Sequence, residues 1–202
     1  MFDVLIIGGG AAGLQCALVL GSGMTKEFAV SKNVAIVMHQ RASHLQSALL
    51  NNVLGIAAGT AGVKILSDGK AQLEKQYPQV KQIEKEKVKE VVCRESDFLV
   101  ITNKNSYISK IVVVAIGYTD LFSIKGFEAY IAPHPLAEPE KKRIWLKNKD
   151  YLVKEGLYVA GTLAGGRSQF AIAAGSGAQV ATDILTLWNK GKHTKVHDKI
   201  GE

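Results

Sequence analysis

The chain opens on an apolar run, Val4 to Ile7, with no polar residue inside it. A strand that is apolar at successive positions is buried on both faces, as parallel strands are. Glycines interrupt the pattern at once, at Gly8, Gly9, Gly10 and Gly13, and from Ala11 to Leu20 Ala and Leu dominate without a proline, which predicts a helix. The apolar residues between Asn33 and Met38 predict the next parallel strand. Val63, Leu66, Leu73 and Tyr77 then recur at near-helical spacing until Pro78 stops the helix. Further on, the runs 88–94, 98–102 and 107–115 are separated by Glu95-Ser96-Asp97 and Asn103-Lys104-Asn105. These predict a small antiparallel meander whose last strand enters the main sheet over Ile111 to Ile116. Pro133, Pro135 and Pro139 mark the stretch from Tyr118 to Asp150 as an irregular connection. Leu157 to Ala160 reads as a short core strand and Gln169 to Trp188 as a last helix, with Ala181, Ile184, Leu185 and Trp188 on its core side. No segment repeats.

Gly8, Gly10 and Gly13 stand at the G-x-G-x-x-G offsets of a dinucleotide-binding turn. The chemistry explains the spacing: Gly8 allows the sharp strand-to-helix turn, Gly10 lets a pyrophosphate approach the backbone, and Gly13 lets the helix pack close to the strand. The anion then rests on free N–H groups at the helix N-terminus. A glycine-rich turn made only for packing is the plainer alternative; the strand before it and the helix after it favour the nucleotide.

Composition narrows the class. The 202 residues suffice for one substantial core but not comfortably for two nucleotide-binding domains. With no leader-like segment and no apolar run approaching the roughly 20 residues of a membrane helix, a cytoplasmic protein without membrane contact is expected. Cys16 and Cys93 lie far apart, on a helix and a strand, and read as buried reduced thiols. The net charge of +7 gathers around Lys141 to Lys149 and in the tail 190–202, which reads as a basic, flexible terminus. The lysines lack interleaved aromatics, so nucleic-acid binding is not expected. Lys81 to Glu90 mixes both signs, as a solvated edge or face does. His39, His44, His134, His193 and His197 show no metal-ligand spacing, so no metal is expected. His134, between two prolines, reads as an exposed loop residue, with a place facing a cofactor or substrate as the alternative. No nucleophile elbow points to hydrolysis.

In order, Gly8-x-Gly10-x-x-Gly13, the strand Ile111-Val-Val-Val-Ala-Ile-Gly117, Gly156-Leu-Tyr-Val-Ala-Gly161-Thr, Arg167-Ser-Gln169 and Ala173-Ala-Gly-Ser-Gly177 resemble the FAD domain of thioredoxin reductases. Asn52-Val-Leu-Gly55 and Gly59 fall where that family has its N-x-P-G segment. The resemblance implies a single Rossmann-like α/β domain over 1–189, with a parallel sheet, helices on both faces and the small meander. It implies FAD as cofactor, held by Gly8, Gly10, Ala11, Ala12 and Gly13, by Asn52 and Val88, and by Ala115, Ile116 and Gly117. It further implies contacts from Gly161, Thr162, Ser168, Gln169, Phe170 and Ala171. The N-terminus of the last helix is expected against the pyrimidine side of the flavin, with Ala173 to Gly177 small enough to lie close beneath it, ordinary tight helix–sheet packing being the alternative reading of those small residues.

The departures bear on function. Members of the family carry an NADPH domain and a C-x-x-C where only about 30 residues join the two halves of this chain, so both the hydride-donor site and the dithiol are expected to be missing. The acidic residue that would bond the adenosine ribose is replaced by Met38-His39-Gln40-Arg41. His39 or Gln40 is the substitute candidate, with a plain surface loop as the alternative; His39 lies 26 residues beyond Gly13, against the usual value of about 20. The family's Gly-Asp is Gly161-Thr162, whose hydroxyl still serves a ribityl or phosphate oxygen. The resulting expectation is a flavoprotein oxidoreductase that exchanges electrons with a donor or acceptor protein or a transient reductant, with a homodimer open to it. A tRNA-modification-type flavoprotein and a non-catalytic FAD or NAD module are the alternatives.

Overall fold

The computed structural model describes residues 1–39, 43–119 and 122–197. In chain order the strands are β1 (Phe2–Ile7), β2 (Val34–Met38), β3 (Leu49–Leu50), β4 (Thr60–Ala61), β5 (Lys81–Glu84), β6 (Val88–Cys93), β7 (Phe98–Thr102), β8 (Ser106–Val114), β9 (Ile131–Pro133), β10 (Ile144–Leu146), β11 (Leu152–Lys154) and β12 (Leu157–Val159). The helices are α1 (Ala11–Gly23), α2 (Gly62–Gln76) and α3 (Phe170–Trp188).

The main sheet runs β11-β12-β8-β1-β2-β5, with β5, β2, β1, β8 and β12 parallel and β11 an antiparallel edge. β1 sits centrally between β2 and β8, with Val4 opposite Val34 on one side and Ile111 on the other. Its Val4, Leu5 and Ile6 are completely buried, as the unbroken apolar run requires. β8 has two roles along its length. Its first half pairs antiparallel with β7 to close the meander with β6, and its second half pairs parallel with β1 and β12.

Both faces of the sheet are covered, but unequally. Val4, Ile6 and Ile36 face a core built by all three helices, including Leu20, Leu66, Leu73, Val180 and Ile184. Leu5, Ile7 and Val37 face a second core built by the meander and the segment after it, including Val91, Phe98, Val100, Phe127 and Leu146. The expected parallel α/β domain stands, yet among the described residues the helices lie on one face, because the chain between β8 and β12 returns through β structure.

That return corrects the reading of residues 118–150 as irregular. β9 and β10 pair antiparallel there, with Ile131 opposite Leu146 and Pro133 opposite Ile144, and Pro133 stands at the strand's last position, where it interrupts little. β11 was not foreseen either, being three residues paired to β12 through an irregular register. Lys81–Glu84 forms β5, an edge strand, consistent with its mixed charges.

Other readings change at the periphery. Cys16 is fully buried, but Cys93 is exposed: it is the last residue of β6, which pairs with β7 and bridges to Lys125 only through its middle, at Glu90, so its end lies beyond the reach of the core. Val63 is exposed while Leu66 and Leu73 are buried on α2. The tail is not loose throughout: Asn189 Nδ2 donates to Thr194 Oγ1 at 3.2 Å, Thr194 is buried, and Val196 packs on the helical core. At 19 residues α3 is also long and apolar enough to cross a membrane, contrary to expectation. Its Val180, Ala181, Ile184 and Leu185 are fully buried, the pattern of a core helix.

Candidate functional site

β1 is followed in the sequence by α1 and β2 on one side of the sheet, whereas β8 leads to β12 on the other. Chains diverging from neighbouring parallel strands leave a crevice at their carboxyl ends, where ligands of open α/β sheets bind. A cavity of about 610 Å³ lies there, lined by Ile7 to Ala12, Ala115 to Gly117, Gly161, Thr162 and the start of α3.

Glycine geometry shapes its floor. Gly8 has φ +116°, and a Cβ on it would lie 2.3 Å from the Ala115 carbonyl oxygen. A Cβ on Gly13 would lie 1.8 Å from the Gly8 carbonyl oxygen, so α1 packs on the turn only because the side chain is missing. Gly10 is the opposite case. The nearest atom to a Cβ there is Ser43 Oγ at 3.8 Å, so its open face belongs to the cavity.

Two helix N-termini border this space. Gly10, the N-cap of α1, supplies no side-chain cap, while Gln169, the N-cap of α3, accepts from the Ile172 N–H through its own Oε1 at 3.1 Å. Neither first turn holds an acidic residue, so no carboxylate there offsets the positive ends of the two dipoles, each equivalent to roughly half a charge. α3 is fixed against α1 by Gly177, whose Cβ would lie 2.0 Å from the Ala12 carbonyl oxygen. Ser176 ties it to the turn after β12: its Oγ accepts from the Gly161 N–H at 2.7 Å and donates to the Ala173 carbonyl at 2.7 Å. Thus the small residues of α3 serve helix–helix packing at Gly177, and line the cavity at Ala173.

The far wall carries Glu86, Lys87 and Val88. Glu86 is buried, and its carboxylate accepts from Thr102 Oγ1 at 2.6 Å, Asn105 Nδ2 at 2.7 Å and Tyr107 Oη at 2.9 Å. Burial pushes its pKa up, but these three bonds, with Lys104 nearby, outweigh that and hold it below its ordinary value.

The family model for pyridine nucleotide-disulphide oxidoreductases matches residues 2–176. The chain belongs to that family. Its fold is similar to that of a thioredoxin reductase from Gloeobacter violaceus, at 14% identity and a TM-score of 0.72 over 100% of this chain and 99% of that one. A thioredoxin reductase from Lactococcus lactis gives 12% identity and a TM-score of 0.69 over 94% and 100%. A ferredoxin-flavin thioredoxin reductase from Clostridium acetobutylicum gives 16% and 0.69 over 94% and 98%. No curated protein sequence matches the chain.

Of the residues singled out in the sequence, Gly8, Gly10, Ala11, Ala12, His39, Val88, Ala115, Ile116, Gly117, Gly161, Thr162, Ser168, Gln169 and Phe170 line the cavity. Gly13 lies behind it as a packing residue. Gln40 lies outside the described residues. Asn52 is exposed and off the wall; Ala48 and Leu50 are what its segment supplies, because the chain turns outward after β3. Ala171 is exposed too: at about 100° per residue, the helix that points Phe170 and Ala173 inward points Ala171 away. His134 corrects the expectation of an exposed loop histidine. It is buried, with Nε2 3.2 Å from the Thr162 carbonyl oxygen and Nδ1 accepting from the Leu136 N–H at 3.2 Å. Sequence reasoning missed Glu86 and Lys87, which sat inside a run that looked solvated, and Ser43, Phe122 and Ile124, which follow no motif.

Proposed function

We propose that the chain is an FAD-dependent oxidoreductase whose electrons come from a partner protein or a transiently docking reductant, rather than from a nicotinamide held in a domain of its own. The observation that carries this reading is the open face of Gly10 in a cavity bordered by the N-termini of α1 and α3 at the switch point of the sheet. The first-turn N–H groups of α1 would hold the FAD pyrophosphate, with no acidic side chain in that turn to repel it. Thr162 would offer its hydroxyl to ribityl or phosphate oxygens, and the positive end of α3 would favour negative charge on the pyrimidine side of the ring. Bound there, FAD supplies reversible electron acceptance and donation.

The electron source is argued from the connection between β8 and β12. Its described residues form the β9–β10 hairpin and carry no second glycine-rich nucleotide motif. One similar structure is a ferredoxin-flavin thioredoxin reductase, and a small electron-carrying protein is the kind of donor the reading requires. The two cysteines, Cys16 and Cys93, make no C-x-x-C, so a dithiol relay inside this chain is not part of the proposal.

The visible spectrum of the purified protein tests the cofactor. Flavin absorbance is expected, either as isolated or after adding FAD, and Gly10→Val should abolish it while far-ultraviolet dichroism stays that of the folded chain. A colourless wild type that takes up no FAD would overturn the reading.

A further inference from the structure

We propose that a second pocket, between the β9–β10 hairpin and the loop ahead of α3, binds a small oxyanion, a carboxylate or phosphate, and so seats an anionic substrate beside the main cavity. The substrate role rests on the flavin reading above; the anion binding does not. The pocket holds about 370 Å³, near the low end for small-molecule sites. Tyr118, His134, Lys141, Arg143, Arg167 and Ser168 do the work on its wall.

The wall is rich in positive charge. Lys141, Arg143 and Arg167 face one carboxylate, Glu138, and that carboxylate is taken: Lys141 Nζ lies 2.8 Å from Glu138 Oε2. Neither guanidinium enters any ion pair among the described residues. Arg143 is also held in place. Its guanidinium lies 4.9 Å over the Tyr118 ring, and Tyr118 is itself braced edge-on by His134 at 5.3 Å. A fixed, planar fork of donors suits a carboxylate or phosphate better than a flexible ammonium does.

The pocket's hydrogen-bond set is incomplete. Arg143 donates no side-chain hydrogen bond among the described residues: its Nε is buried without a partner, and the rest of the guanidinium on the pocket wall is left to meet an acceptor there. His134 does not compete for the ligand. Its Nε2–H donates to the Thr162 carbonyl and its Nδ1 is occupied by the Leu136 N–H, so recognition falls to the guanidiniums. Position supplies the link to chemistry. Ser168 lines both this pocket and the main cavity, and Thr162, which His134 contacts, is on the main cavity's wall, so the two spaces share a wall.

Isothermal titration calorimetry at low salt, in a buffer free of carboxylate and phosphate, decides it with sodium succinate, inorganic phosphate and neutral succinamide as probes. Saturable heat is expected from succinate or phosphate and none from succinamide, with the preferred anion naming the substrate's charged group. Arg143→Gln and Arg143→Lys should each weaken binding by roughly tenfold or more, the second because the charge stays but the fork is lost. Arg167→Gln, at an exposed position that leaves the fold undisturbed, should weaken it similarly and decides the matter if the Arg143 variants do not fold. No saturable heat up to roughly 10 mM anion, or unchanged affinity in the arginine variants, would overturn the proposal; the latter would mark a diffuse basic surface. The same anions should shift the absorbance of the bound flavin. A colourless protein that still gives the heat would sink the flavin reading and leave the anion site standing, whereas a yellow protein without heat would do the reverse.

Discussion

Glu86 is a carboxylate inside a run of charges that reads as a solvated edge, yet three side chains donate to it beside the cavity. Its folded pKa is below the ordinary 4.5, so its stabilisation is present above that value and is lost as pH falls through the folded one. Glu86→Gln should be less stable than wild type at neutral pH by about 1–3 kcal/mol, since charged acceptors make the stronger bonds. Urea unfolding at neutral pH and near pH ~3 should show the gap closing in acid; a gap that stays constant would mean that the charge contributes nothing. The cysteines differ by the same logic of environment. Burial pushes the Cys16 thiol well above its usual range, whereas Cys93 is exposed. A chromogenic thiol reagent should therefore modify Cys93 in the native protein and reach Cys16 only after denaturation. Equal labelling of both in the folded state would contradict the burial of α1.

Among the elements, α3 depends most on a missing side chain. A Cβ at position 177 would enter the backbone of α1, and backbone yields less readily than a side-chain tip. Gly177→Ala should cost on the order of 1–3 kcal/mol by thermal or urea unfolding. It should also weaken cofactor uptake, because the start of α3 lines the cavity and Ser176 binds the turn that carries Thr162. Gly175→Ala, on the opposite side of α3 with nothing within 4 Å of its Cβ, is the control: it should leave cofactor uptake unchanged and, Ala being the better helix former, raise stability by up to about 1 kcal/mol. The meander was legible because polar turns divide apolar runs with strand-like alternation. The β9–β10 hairpin was not, since its strands are three residues long and prolines obscure them.

At the scale of the whole molecule, the parallel sheet reverses its winding between β1 and β8, and both core faces meet at the cavity behind that point. Under the proposed function, the β8-to-β12 return governs how the cofactor meets its reductant. With β structure there, NADH and NADPH should reduce the bound flavin slowly and in proportion to their concentration. Stopped-flow absorbance checks this: fast bleaching that saturates with either nucleotide would reveal a nicotinamide site and remove the need for a partner donor.

What the sequence determined by itself is what depends on neighbours along the chain. The buried strands, the glycine turn, the helices that follow it and end the chain, and the meander follow from local period and local steric demand, and they account for most of the cavity's floor. Tertiary structure alone decided which faces the helices cover, that Asn52 and Ala171 point away, that Glu86 is buried and that His134 is satisfied rather than free. It also brought Arg143 and Arg167, from segments distant in sequence, onto one pocket. Burial and pairing of a polar side chain are set by residues far away in the chain, and no local pattern records them.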